Sequence, residues 1–189
     1  MGHLTFLTGG ARSGKSTFAL ALGRRSALPV TFIATAPRPD GGDEEMGARI
    51  ARHQTERSEQ PGEWRTIEEP LDVQGAILRA AGTYTILDCL TLWVSNLMWA
   101  DRTDEEIDRL ADEAASAASG VPNPVVVVTN EVGMGIHPDL PLGRRYRDVL
   151  GRVNQRWAEA ADDALLMVAG RALRLDDPLH LLETGEATR

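Results

Sequence analysis

The chain has 189 residues, a single cysteine and a formal net charge of -8. That length suits one α/β domain over residues 1–189 with an ample core. The acidic balance, with no basic tract, argues against a nucleic-acid partner; the lone Cys89 excludes an internal disulfide and fits a reducing cytoplasm; no signal peptide is evident, and no apolar run approaches the ~18–20 residues of a membrane span.

The first element is the apolar run Leu4–Thr8, read as a strand. It leads directly into Gly9, Gly10, Ala11, Arg12, Ser13, Gly14, Lys15 and Ser16, which fit G-x-x-x-x-G-K-[ST] at every fixed position. A helix-forming run, Thr17 to Arg25, follows. Gly9 and Gly14 permit backbone angles that a Cβ forbids, so successive amides turn toward phosphate oxygens in front of a helix N-terminus. Lys15 would reach the β- and γ-phosphates, and Ser16 would hold Mg²⁺. A plain Gly-rich turn would need neither the lysine nor the flanking strand and helix. The chain is therefore expected to bind a nucleoside triphosphate.

A second strand is expected at Val30–Ala34, then the turn-rich Pro37-Arg38-Pro39-Asp40-Gly41-Gly42. Asp43 to Arg57 reads as a helix with an acidic start and a basic end. Met46, Ile50 and His53 share one stripe, and Arg49 and Arg57 lie one turn either side of His53. Flanking arginines disfavour the imidazolium, leaving a neutral ring that suits a nucleophile. Spacing alone favours the plainer reading, a helix-face histidine at the core margin with solvated arginines. A weaker strand lies near Trp64–Glu68.

Tyr84–Asp88 is an apolar strand ending in a carboxylate, the form of a Walker B element whose aspartate binds Mg²⁺. The alternative for Asp88 is an N-cap on the helix after it. Cys89 reads as a small core residue, since nothing nearby would make it a thiolate. Thr103 to Ala118 forms a helix with a capping box, Thr103 with Glu106. A strand at Val125–Thr129, a helix from Arg144 to Ala161 with an apolar stripe, and a strand at Ala164–Val168 complete the pattern. Apolar strands alternating with helices give a mostly parallel sheet covered on both faces. The tail after Arg171 shows no clear role. Trp64, Trp93, Trp99 and Trp157 read as packing, with one or two left to face a ligand. His3, His137 and His180 carry no motif. Asn130-Glu131 would either approach substrate or cap a turn, and Gly133 and Gly135 suggest a mobile loop.

Several longer stretches are more specific than the phosphate loop. They are Thr8 to Ser16, Phe32-Ile33-Ala34-Thr35-Ala36, Ala48-Arg49-Ile50-Ala51-Arg52-His53, Trp64 to Pro70, Leu87 to Asn96, Thr129-Asn130-Glu131-Val132-Gly133-Met134-Gly135 and Arg147 to Gln155. Through these the chain, from about Leu4 to Gly170, resembles the bifunctional adenosylcobinamide kinase / adenosylcobinamide-phosphate guanylyltransferase family of cobalamin synthesis. The resemblance implies a phosphate-loop fold of the RecA type and a trimer. It implies a covalent guanylyl-histidine at His53. It also places Ala34, Thr35, Ala36, Glu68, Asp88 and the run Gln54, Thr55, Glu56, Arg57 around the guanine nucleotide. The implied substrates are ATP, GTP, adenosylcobinamide and adenosylcobinamide phosphate, with Mg²⁺ at Ser16 and Asp88.

Two competing readings stay in view. One is a phosphate-loop small-molecule kinase with a structural His53 and no guanylyl transfer. The other is a nucleotide switch or regulatory module. A switch GTPase lacks support, because there is no Asn-Lys-x-Asp motif and Asp88 is followed by Cys-Leu-Thr.

Overall fold

The computed structural model describes residues 2–36 and 62–184. The expected helix from Asp43 to Arg57, the turn Pro37–Gly42 before it, and with them His53 and Gln54 to Arg57, lie outside the described residues. In chain order the elements are β1 (Leu4–Thr8), α1 (Lys15–Arg25), β2 (Val30–Ala34), β3 (Trp64–Glu68), α2 (Val73–Arg79) and β4 (Tyr84–Asp88). Then come α3 (Leu90–Trp99), α4 (Asp104–Gly120), β5 (Val125–Val128), α5 (Pro141–Ala160), β6 (Asp163–Val168), β7 (Arg171–Leu175) and α6 (Pro178–Thr184).

The seven strands form one sheet in the order β3-β2-β4-β5-β1-β6-β7. All pairings are parallel except β6 with β7, which is antiparallel. Alternating side chains sort the core onto two faces. Leu4, Phe6, Ile33, Leu87, Val125 and Val127 face one side, where Trp93, Ile107, Val149, Val153 and Trp157 pack on them. Leu7, Val30, Phe32, Ile86, Val126 and Val128 face the other, beneath Ala19 and Leu20 of α1. Such double burial explains why the central strands read as unbroken apolar runs.

Local chemistry fixes the helix boundaries. Thr103 Oγ1 accepts from Glu106 N, and the Glu106 carboxylate accepts from Thr103 N, so the capping box stands at the start of α4. α5 begins at Pro141, earlier than its apolar stripe suggests, because proline at the first helical turn loses no hydrogen bond. A ladder of ion pairs joins α4 to α5: Asp104 with Arg145 (2.7 Å) and Arg152 (3.0 Å), Asp108 with Arg152 (3.1 Å) and Arg156 (3.3 Å), and Asp112 with Arg156 (2.7 Å).

The tail after Arg171 contains a strand and a helix. β7 returns along β6 through a two-residue turn, with Val168 opposite Arg171. Ala169 and Gly170 both have positive φ (50° and 74°), as a type I′ hairpin turn requires. Of the tryptophans, Trp93 and Trp157 are fully buried, whereas Trp99 is 83% exposed and so is not core packing. With Leu140 and Leu142 it borders a groove of about 510 Å³.

Candidate nucleotide site at the sheet edge

In a parallel sheet the strand C-termini share one edge, and ligands bind there. The register puts named residues in a row along that edge: Glu68 of β3 beside Ala34 of β2, Ala34 beside Asp88 of β4, and Asp88 beside Val128 of β5. β1, which ends in the phosphate loop, lies next to β5 on the far side. One strand, β5, is therefore inserted between the loop strand and the Asp88 strand. Asp88 stands two strand spacings from β1, roughly 10 Å.

The loop takes the form the motif predicts. Gly9 (φ 141°) and Gly14 (φ 100°) adopt angles that glycine alone takes readily, and Arg12 (φ 59°) turns the chain between them. A Cβ on Gly9 would also lie 2.2 Å from the Met167 carbonyl oxygen, so β6 presses directly on the loop there. Gly14 caps α1 with no side-chain hydrogen bond, which leaves first-turn amides of that helix for a ligand. Lys15 is 6% exposed, and its Nζ donates to Gly9 O (2.8 Å), Gly10 O (2.8 Å) and Ser13 Oγ (3.3 Å). Folded onto the loop's own carbonyls, it already stands inside the cradle. Ser16 is half-buried in the first turn of α1, while Gly10, Ala11 and Arg12 are exposed.

Asp88 is half-buried at the end of β4. It does not cap α3: the N-cap is Cys89, and no side-chain cap bond forms. Ser16 and Asp88 offer a hydroxyl and a carboxylate, hard oxygen donors that fit Mg²⁺.

Thr35 is fully buried. Its hydroxyl donates to Cys89 O (2.7 Å) and accepts from Cys89 N (2.8 Å), and its own N–H donates to Asp88 O (3.2 Å). The Asp88–Cys89 peptide bond is cis. Asn96 Nδ2 then holds Thr35 O (2.8 Å) and Pro70 O (3.1 Å), binding the ends of β2 and β3 to α3. Thr35 thus fixes the backbone that carries Asp88. Ala34 and Ala36 flank it half-buried, and Glu68 is exposed at the end of β3. The Cys89 thiol is pushed up to about 12 by burial and by the Asp88 carboxylate beside it, so it stays protonated at neutral pH.

Sequence reasoning left the end of β5 undecided. Thr129 N donates to Leu7 O (2.9 Å) and Glu131 N to Gly9 O (3.1 Å), tying this turn to the loop strand. Thr129 Oγ1 donates to Asn154 Oδ1 (2.8 Å), and Asn154 Nδ2 to Asn130 O (3.1 Å). Asn130 N donates to Thr91 Oγ1 (2.9 Å), and Tyr146 OH to Thr91 O (3.1 Å). Gly170 N donates to Ser13 O (2.9 Å), so the β6–β7 turn also braces the phosphate loop. No strong sequence signal marks that brace, because Ala169-Gly170 is not one of the favoured hairpin dipeptides and Ala164–Val168 is a continuous apolar run. Of the other histidines, His3 Nε2 lies 2.8 Å from Asp163 Oδ2 and His137 Nδ1 lies 2.7 Å from Arg147 Nη1, both exposed pairs.

Residues 5–175 match the family described as cobinamide kinase / cobinamide phosphate guanyltransferase. The bifunctional adenosylcobalamin biosynthesis protein CobP of Pseudomonas aeruginosa is 41% identical over 172 residues, covering 89% of this chain and 95% of its own. CobU of Salmonella typhimurium, with the same description, is 41% identical over 186 residues, 91% of this chain and 99% of its own. A KaiC-like protein from Pyrococcus horikoshii superposes over 87% of this chain and 70% of its own with a TM-score of 0.48 and 15% identity, too slight an overlap to bear on function. With the phosphate loop and all of the sheet but Leu4 inside the matched range, the chain belongs to the cobinamide kinase / cobinamide phosphate guanyltransferase family.

Proposed function

We propose that this chain, as one catalytic domain, phosphorylates adenosylcobinamide with ATP or GTP. It then transfers GMP from GTP to adenosylcobinamide phosphate, giving adenosylcobinamide-GDP. The observation that carries the reading is the family match across residues 5–175, in a chain whose loop from Gly9 to Ser16 has a phosphate-binding form.

In the first reaction the loop amides and Lys15 hold the triphosphate, and its γ-phosphoryl passes to the acceptor hydroxyl. Phosphoryl transfer needs positioning and charge neutralisation more than covalent help. Mg²⁺ at Ser16 and Asp88 would supply part of that neutralisation. In the second reaction His53 attacks the α-phosphorus of GTP and pyrophosphate leaves. The phosphoramidate then yields GMP to the phosphate of the acceptor. Splitting one displacement into two is nucleophilic catalysis, and protonation of the imidazole makes it a good leaving group. Ala34, Thr35, Ala36, Gln54, Thr55, Glu56, Arg57 and Glu68 belong to the guanine nucleotide site in this reading. The protein works as a cytoplasmic homotrimer. In support, Val168, Leu173 and Leu175 are exposed apolar side chains on the paired β6 and β7 strands at the sheet edge.

The test is the intact mass after incubation with GTP and Mg²⁺. A GMP-sized increment on the wild-type chain, absent from His53→Ala, is the expected result. Kinase turnover with no increment would leave the simple small-molecule kinase. Nucleotide binding with no corrinoid turnover at all would leave the regulatory module.

A further inference from the structure

We infer that Glu131 is the general base of the kinase step, and that Gly133 lacks a side chain so that the Glu131 carboxylate can sit where it does. The inference rests on the kinase half of the function proposed above.

Position comes first. β5 runs between the strand that ends in the phosphate loop and the strand that ends in Asp88. The residues leaving β5 therefore emerge between the triphosphate cradle and the metal carboxylate. Glu131 N and Lys15 Nζ donate to the same atom, the Gly9 carbonyl oxygen, at 3.1 and 2.8 Å. The backbone of Glu131 is thereby anchored at the carbonyl that also holds Lys15, the lysine expected to reach the terminal phosphates.

The carboxylate is held by one oxygen. Oε1 accepts from Gly133 N at 2.6 Å, and Oε2 accepts no hydrogen bond from any described residue. A Cβ on Gly133 would lie 2.9 Å from Oε1, and Gly133 is not among the glycines with positive φ. The glycine therefore serves the carboxylate, not the backbone angle. The Oε1 bond to Gly133 N caps the turn and leaves Oε2 to accept from a ligand.

Other acceptors at this edge fit less well. Asp88 reads as the metal ligand. Glu68 is on β3, three strand spacings from β5, roughly 14 Å. In the step itself, the acceptor hydroxyl oxygen bonds to the γ-phosphorus and the bond to the β–γ bridging oxygen breaks. The bridging electron pair leaves with the nucleoside diphosphate, and the hydroxyl proton passes to Glu131 Oε2.

Glu131→Gln separates chemistry from structure, because the amide oxygen still accepts from Gly133 N. Both reactions draw triphosphate from the same loop, so loop damage would lower both rates. The expected result is a fall of about 100-fold or more in the ratio of kinase kcat to guanylyl-transfer rate, the usual scale for a lost general base. The KM for ATP should stay within about twofold. Gly133→Ala should move the same ratio in the same direction. A Glu131→Gln kinase kcat within about threefold of wild type, or an equal fall in both reactions, would overturn the assignment. Absence of kinase turnover in the wild-type chain would refute the proposed function and this inference with it; turnover kept by Glu131→Gln refutes this inference alone.

Discussion

Thr35→Val tests whether Thr35 serves the site through the backbone it holds. The two side chains have nearly the same shape, so the change removes one hydroxyl and little packing. Two bonds are lost, to Cys89 O (2.7 Å) and from Cys89 N (2.8 Å), at a fully buried residue. They do not count equally. Cys89 O also accepts from Trp93 N (3.2 Å), so it keeps a partner, and losing the second bond costs about 0.5–1 kcal/mol. Cys89 N has no other acceptor among the described residues, and an orphaned amide costs about 1–3 kcal/mol. The sum is roughly 1.5–4 kcal/mol, about 3–16 °C in Tm for a chain of this size. Urea unfolding at neutral pH would measure it, and a Mg²⁺ titration of turnover should shift upward as Asp88 loses its support. A loss under about 0.5 kcal/mol with an unchanged Mg²⁺ titration would refute the reasoning and return Thr35 to direct contact with nucleotide.

Lys15→Ala should lower both activities by about 10²–10³-fold, the usual scale for removing a donor to developing charge; full-rate guanylyl transfer in steady-state assays would demand a second triphosphate site. Asp88→Asn should weaken the Mg²⁺ dependence and slow turnover with the fold kept, and an unchanged titration would remove it from the metal site. The Asp104 carboxyl is held below its usual range, first by the hydrogen bond from Arg145 and then by Arg152. A depressed folded pKa adds stability that is present above the unfolded value, about 4, and is lost as pH falls through the folded value. Asp104→Asn should therefore cost roughly 0.5–1 kcal/mol at pH 7, the scale of exposed pairs, and urea curves of the two proteins should converge below about pH 4. A gap that does not narrow as pH falls below about 4 would assign the loss to something other than charge.

The parts of the fold that the sequence made legible are those whose cause is local. β1, β2 and β4 begin and end at the expected residues, because each is an apolar run that stops at a polar or turn-forming residue. The phosphate loop is legible for the same reason, since its function lies in consecutive backbone angles. What stayed hidden acts across the chain. The Thr35 clamp on Cys89 and the Glu131 bond to Gly9 join residues that only strand order makes neighbours, and that order placed β5 between the two active strands. α3 was hard to bound because Leu90, Trp93, Val94, Leu97 and Met98 leave little polar contrast around it.

β7 was missed for the opposite reason. Every residue of Arg171–Leu175 is exposed, so no buried face imprinted a pattern on it. Its return depends instead on the turn, where Ala169 holds an angle (φ 50°) that disfavours a Cβ. Asparagine tolerates that angle, so Ala169→Asn should raise stability by roughly 0.5–1 kcal/mol, part of the left-handed penalty. The turn also presents Gly170 N to Ser13 O (2.9 Å), and Gly170 Cα lies 3.3 Å from where a Cβ on Gly14 would be. A firmer turn should therefore firm the phosphate loop, and amide exchange at Ser13 and Gly14 should slow along with the gain in urea midpoint. A stabilised Ala169→Asn protein with unchanged exchange at Ser13 would show that the hairpin and the loop are merely adjacent.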